Sequence, residues 1–307
     1  MRALVVAAGR SAKLVELPLP EPRPGEVRVR LDGCGVCGSD LPVWEGRPWF
    51  EYPREPGAPG HEGWGRVDAV GAGVEGLEPG APVAGLTYNA YAEHDLAAAD
   101  RLVPLPPQLD GRPFPGEALG CAVNVFRRSE IAAGQRVAVV GVGFLGAVVT
   151  QLAARAGAHV TGVSRRQAAR AAALRMGAED ARPLDAPPEP ESCDVVVEAG
   201  GKQATLDAAS ALVKVRGRLV VAGFHQDGPR EVDMRSWNWR GIDVINAHER
   251  DPAIYLDGIR LAARGVAEGL LDPEPLYTHR FPLERAGDAL QAAADRPDGF
   301  MKALVLA

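Results

Sequence analysis

Between residues 141 and 146 the chain reads Gly-Val-Gly-Phe-Leu-Gly, directly after branched apolar residues over 137–140 and directly before an apolar, helix-like stretch over 144–155. This context restricts what the chain can fold into, because a G-x-G-x-x-G pattern has meaning only where a strand feeds a helix. Gly141 and Gly143 permit a tight turn and a close backbone approach by a pyrophosphate, which then rests at the positive end of the helix. Gly146 lets the helix pack closely on the strand, and Phe144 and Leu145 complete the loop as the first helical residues. The motif predicts dinucleotide binding.

Strand-like runs over 160–163, 194–197, 218–222 and 242–245 alternate with helix-like runs over 167–176 and 204–213. That order predicts a doubly wound parallel sheet. The first third differs: short alternating runs over 26–31 and 65–70, separated by Pro/Gly turns such as 17–22, predict antiparallel strands in a barrel-like β domain. After a helix-like run over 255–265, the tail over 300–306 matches the opening strand in composition and is expected to rejoin the first domain. The expected domains are therefore 1–121, 122–251 and 252–307, the first and last forming one discontinuous unit of an α/β protein.

A length of 307 residues suits two cores. The net charge of -6 and the absence of any basic run remove the footprint of a nucleic-acid binder and favour a small-molecule partner. The opening apolar stretch is too short for a signal peptide, and the longest apolar region, 137–154, carries its glycines in phosphate-loop spacing. A cytoplasmic protein that does not enter the membrane is expected. Its four cysteines, Cys34, Cys37, Cys121 and Cys193, are then reduced thiols available as metal ligands or as plain buried residues.

At the end of the second strand of the parallel sheet, where NAD-binding chains carry an acid, this chain has Ser164-Arg165-Arg166. A carboxylate there repels a 2′-phosphate, whereas a hydroxyl and two guanidiniums attract one. The sequence favours NADP over NAD.

Cys34-Gly-Val-Cys37-Gly-Ser-Asp40 looks like half of a four-cysteine zinc site, but Cys121 and Cys193 are isolated, so a structural site lacks ligands. A catalytic zinc instead needs a small mixed ligand set and an open position for substrate. Gly60-His61-Glu62-Gly63 supplies an imidazole on a tight turn with a carboxylate beside it.

Together, and in this order, the motifs resemble the zinc-containing branch of the medium-chain dehydrogenase/reductase family, and the resemblance covers essentially the whole chain. It implies a Rossmann doubly wound parallel sheet domain plus a discontinuous GroES-like β-barrel catalytic domain. It implies that Cys37 and His61 ligate one catalytic zinc, with Cys34 a buried small residue. The third ligand is implied to be Glu117, in Glu117-Ala-Leu119 where the polyol and threonine dehydrogenases have Glu-Pro-Leu, at a matching interval before Gly134; Cys121 is the alternative from the alcohol dehydrogenases. Glu62 is implied as an occasional ligand, and Asp40 as acceptor of the other ring N–H of His61. Ser39 would take the substrate hydroxyl proton, and Lys302 would meet the cofactor pyrophosphate.

Two departures from the family stand out. Pro42 occupies the place of a histidine that finishes the proton relay in many relatives, and 83–91 has no cysteine where relatives carry a structural-zinc lobe. One zinc per subunit is expected. The implied reaction is hydride transfer between NAD(P) and a secondary alcohol or ketone such as a polyol, sugar-derived or amino alcohol, with zinc as Lewis acid. A redox-neutral elimination or epimerisation, or a non-catalytic binding role, would keep the same scaffold. Trp44, Trp49, Phe50 and Tyr52 crowd a loop where relatives line the substrate cleft, and His225 and His248 follow strands near the nicotinamide end. Relatives pair through an edge strand of the cofactor domain, here 242–245, implying a homodimer or homotetramer.

Overall fold

The computed structural model describes residues 1–307, and contacts among its elements divide the chain into two units, Met1–Gly120 with Asp251–Ala307, and Cys121–Arg250. The first stretch carries β1 (Arg2–Ala8), β2 (Ser11–Glu16), β3 (Glu26–Gly35), α1 (Leu41–Trp44), β4 (Glu62–Val70), β5 (Pro82–Gly85), β6 (His94–Ala98) and β7 (Leu102–Pro104), and the unit boundary falls within α2 (Gly116–Ser129). The second unit holds β8 (Arg136–Val140), α3 (Phe144–Arg155), β9 (His159–Val163), α4 (Gln167–Arg175), β10 (Asp180–Arg182), β11 (Cys193–Glu198), α5 (Gln203–Leu212), β12 (Val213–Val221), α6 (Met234–Arg240) and β13 (Asp243–Asn246). The chain then returns through α7 (Pro252–Ala267), β14 (His279–Pro282), α8 (Ala286–Asp295) and β15 (Ala303–Leu306).

In the first unit β1 and β2 form a hairpin, and a seven-stranded sheet runs β14-β15-β3-β4-β5-β7 with β6 also on β3. Alternation explains β3: Val27, Val29 and Leu31 point into the core, while Arg30 faces solvent. Ten residues long, β3 shares its second edge between β6 at Glu26–Arg30 and β15 at Gly33–Gly35. Leu4, Val6, Val67, Tyr91, Leu290 and Val305 join the same core. The closing strand therefore pairs with β3 and β14 and not with β1. The two ends of the chain look alike because both present an apolar face to one core.

In the second unit six strands run parallel in the order β10-β9-β8-β11-β12-β13. Val137, Ala138, Val139 and Val140 are all buried, as strands covered on both faces must be. The sheet order reverses between β8 and β11, the position at which such sheets bind ligands. Helices α2, α6 and α8 and the three-residue β10 were not expected from the sequence. Local chemistry still defines α6, where Asp233 accepts the Ser236 N–H at the start and left-handed Gly241 ends it.

Candidate active site and cofactor loop

Past the end of β3 the chain turns through Cys37 into a short 3-10 segment, Gly38–Asp40, whose aspartate is fully buried. Asp40 Oδ2 accepts the Cys37 backbone N–H at 2.9 Å and the Tyr91 hydroxyl at 2.6 Å. Its Oδ1 lies 3.1 Å from His61 Nδ1, and that nitrogen is also 2.9 Å from the Pro59 carbonyl oxygen. Flanked by two acceptors, Nδ1 carries a proton in either charge state, which leaves Nε2 as the nitrogen for a metal. Burial opposes a charged ring, but Asp40 and then Cys37 outweigh it and hold the His61 pKa well above the ordinary histidine value. Ser39 Oγ stands 3.3 Å from Nε2. Buried Cys34 directs its thiol at the Gly35 carbonyl and takes no part.

Glu62 opens β4 opposite Gly35 and is fully buried. Lys302, just before β15 and only 4% exposed, places Nζ 2.6 Å from Oε1 and 2.5 Å from Oε2, and only Oε1 has hydrogen-bond geometry. Burial raises the Glu62 carboxyl above its ordinary value; Lys302 opposes this and Glu117 reinforces it. For Lys302, burial works against the ammonium, but Glu62, Cys37 and Glu117 outweigh it and raise its pKa. The lysine expected on a pyrophosphate is thus engaged in a buried ion pair, because an interior carboxylate needs a neighbouring cation. The sequence held no signal for this pairing of residues 240 positions apart. Tyr91, which braces Asp40, was missed for the same reason.

One ligand atom each from Cys37, His61 and Glu62 lies within 4.8 Å of the others. This mixed thiolate, imidazole and carboxylate set fits zinc. Glu117, in the first turn of α2, is outside this triangle and accepts the Tyr255 hydroxyl at 2.5 Å, although its charge acts on both Glu62 and Lys302. Cys121 is not among the three either. The geometry thus groups Glu62 with Cys37 and His61 and sets Glu117 on Tyr255. Trp44 is buried and donates to Gln291 at 3.0 Å, Tyr52 donates to the Val43 carbonyl, and Phe50 packs on the core, so of the four aromatics Trp49 alone stays exposed.

In the second unit the three glycines of the loop differ in what surrounds them. A Cβ on Gly141, at φ +98°, would meet Gly200 N at 2.5 Å, and one on Gly146 would meet the Gly141 carbonyl at 2.4 Å. A Cβ on Gly143 would meet nothing within 4 Å, and no side chain caps α3 there. Packing thus fixes the outer two glycines, while the middle one leaves an open approach to a helix start, which fits a dinucleotide pyrophosphate. Phe144 and Leu145 form the first turn of α3. After β9, Arg170 Nη1 donates to the Ser164 and Arg165 carbonyls at 2.9 and 2.8 Å, shaping the turn that presents Arg165 and Arg166. His225 is held by Glu198 and Arg230, and His248 is exposed.

A six-stranded parallel sheet with a dinucleotide loop, accompanied by a β unit with a Cys/His/Glu cluster, defines a zinc- and nicotinamide-dependent oxidoreductase. Residues 23–107 match the family model of the alcohol dehydrogenase GroES-like domain, and residues 145–264 match that of the zinc-binding dehydrogenases. The chain is 27% identical to 2-dehydro-3-deoxy-L-galactonate 5-dehydrogenase of Pseudoalteromonas atlantica over 99% of its length and 98% of that protein's. It is 29% identical to sorbitol dehydrogenase of Gallus gallus, over 94% and 92%. A zinc-binding dehydrogenase from Sinorhizobium meliloti, solved bound to NADP, superposes at a TM-score of 0.88 with 25% identity, covering 100% of this chain and 99% of that one. The chain belongs to the zinc-dependent medium-chain dehydrogenase/reductase family and is an alcohol dehydrogenase-like oxidoreductase that uses zinc and a nicotinamide cofactor on small-molecule alcohols. No helix is long and apolar enough to cross a membrane.

Proposed function

We propose that Cys37, His61 and Glu62 hold a single zinc ion, that Glu117 is the exchangeable carboxylate beside it, and that the enzyme interconverts a polyol or sugar-acid secondary alcohol with its ketone, using NADP. The observation that carries this reading is the convergence of the three ligand atoms within 4.8 Å, with the second ring nitrogen of His61 anchored between Pro59 and Asp40. The sugar-acid and polyol dehydrogenases among the relatives support the substrate class. Bound zinc supplies Lewis acidity to the substrate oxygen, stabilising negative charge as hydride departs.

The chain's own residues do the rest. Asp40 keeps the His61 ring oriented, and Lys302 keeps Glu62 ionised. Ser39 receives the hydroxyl proton; buried Pro42 cannot accept it in turn, so it leaves through water. Ser164, Arg165 and Arg166, with no carboxylate among them, select the 2′-phosphate of NADP. The open edge of β13 is the pairing surface of a homodimer, and four cysteines outside any disulfide suit the cytoplasm.

The test is a panel of polyols, sugar acids and amino alcohols with NADP and NAD, followed by reduced-nicotinamide absorbance, on protein of measured zinc content. One zinc per chain and a higher kcat/KM with NADP are expected. A Cys37→Ser chain that retains both zinc and turnover would overturn the metal assignment, and equal efficiency with NAD would overturn the cofactor assignment.

A further inference from the structure

A cavity of about 430 Å³ in the second unit is lined by Arg165, Leu184, Lys202, Thr205, Asp227 and Arg230. Three of these are cations and one is an anion, so the lining keeps a positive excess. Asp227 bridges the other pair: Lys202 Nζ is 2.5 Å from its Oδ2, and Arg230 bonds its Oδ1. Lys202 and then Arg230 hold the Asp227 carboxyl well below the ordinary aspartate range, so the bridge is ionic throughout the working pH range.

This arrangement is anchored from the interior. Fully buried Glu198, the last residue of β11, accepts the Gly200 and Gly201 N–H groups at 2.8 Å each and the Thr205 hydroxyl at 2.6 Å. Its second oxygen is 2.9 Å from His225 Nε2, and Arg230 Nε donates to His225 Nδ1 at 2.8 Å. An imidazole engaged at both ring nitrogens is held in one orientation. Arg230 also donates to the Gly201 carbonyl at 3.0 Å. A continuous line of bonds thus runs from Glu198 through His225, Arg230 and Asp227 to the ammonium of Lys202, so that this long side chain has lost rotamer freedom before any ligand arrives.

We propose that Lys202 is a specificity-determining residue that, with Arg165, binds the 2′-phosphate of the cofactor's adenosine, and that Arg230, His225 and Glu198 are the residues that position it. The inference rests on the NADP reading above and adds a second element, at the start of α5, to the Ser164–Arg166 turn. A phosphate dianion matches the cationic excess and the positive end of the ten-residue α5, while Leu184 offers an apolar wall for a base.

The test is calorimetric titration of the full chain with adenosine 2′,5′-bisphosphate and with 5′-AMP, for the native protein and for Lys202→Met, Arg165→Met and Arg230→Met. The native chain is expected to prefer the bisphosphate. Lys202→Met and Arg165→Met should each weaken bisphosphate binding about tenfold while leaving 5′-AMP within about twofold, the effect of one charge-assisted contact at a partly exposed site. Arg230→Met, which removes the brace and leaves the ammonium, should weaken it about threefold. If Arg165→Met loses the preference and Lys202→Met keeps it, the inference fails and the NADP reading stands. Equal loss for both probes in Lys202→Met also overturns it, because the lysine would then serve the adenosine or the fold and not the phosphate. A native chain without preference overturns the NADP reading, and this inference falls with it.

Discussion

Gly35→Ala probes the tightest contact in the candidate active site. An added Cβ would lie 1.9 Å from Glu62 Oε2, 3.1 Å from Glu62 Cδ and 3.0 Å from Lys302 Cε. Gly35 is not in the left-handed region, so the cost is steric alone. Neither neighbour can yield into solvent, since Glu62 is 0% and Lys302 4% exposed. Either the carboxylate leaves the ammonium or β3 and β4 separate. Overpacking costs about 1–3 kcal/mol, and full removal of one partner from a buried pair about 3–5 kcal/mol. A strained but surviving pair falls between, at roughly 2–4 kcal/mol. For a unit of this size each kcal/mol moves the melting point about 2–4 °C, so scanning calorimetry of metal-free protein should show a fall of ~5–15 °C. Gly143→Ala is the control: with nothing within 4 Å it should melt like the native chain yet bind NADP at least about tenfold more weakly, because the methyl enters the pyrophosphate approach. A Gly35→Ala chain melting within about 2 °C of native would refute the reasoning, since overpacking of even the mildest kind costs about that much.

Lys302→Met should destabilise the metal-free chain by about 3–5 kcal/mol in urea by stranding a buried carboxylate, and adding Glu62→Gln should recover part of the loss; an unchanged midpoint would mean the pair is not buried as described. Asp40→Asn, which weakens the hold on His61 and Tyr91, should lower zinc affinity about 10–100-fold in competition with a chelating dye, and native affinity in that variant would exclude the orienting role. The depressed pKa of Asp227 contributes stability that is present above the unfolded value of 3.8 and is lost as pH falls through the folded value. Asp227→Asn should therefore flatten the acid limb of stability below that value, by a small amount because the group is exposed; an identical limb in both proteins would count against the bridge.

Periodicity and motif context made the parallel sheet legible, because strands buried on both faces read as unbroken apolar runs and the glycine loop marks the turn from β8 to α3. The short β10 carries no apolar run, and the apolar residues of α2 are interrupted by Gly116, Gly120 and Asn124, so neither stands out. At the site, Cys37, His61 and Asp40 were readable because each belongs to a local turn. The contacts of Glu62 with Lys302 and of Glu117 with Tyr255 were not, since only the folded chain brings these residues together. Trp44 reads as a cleft residue in a loop but proves to be a packing residue held by Gln291.

Charge gives an independent reason for a divalent ion among these residues. Asp40, Glu62 and Glu117 bring three carboxyl groups to this region, and Cys37 must become a thiolate in order to ligate, whereas the cation Lys302 is committed to Glu62. In the metal-free chain, Asp40 and Cys37 compensate by holding a proton on His61 well beyond its ordinary range. Zinc at Nε2 must displace that proton, and ligation by Cys37 displaces its thiol proton if one remains. Zinc uptake should then release protons, so the heat of binding near neutral pH should vary with the ionisation enthalpy of the buffer, and Cys37→Ser should release fewer. A binding heat independent of the buffer would mean that zinc sits elsewhere or meets ligands already deprotonated, and the electrostatic account of this site would have to be abandoned.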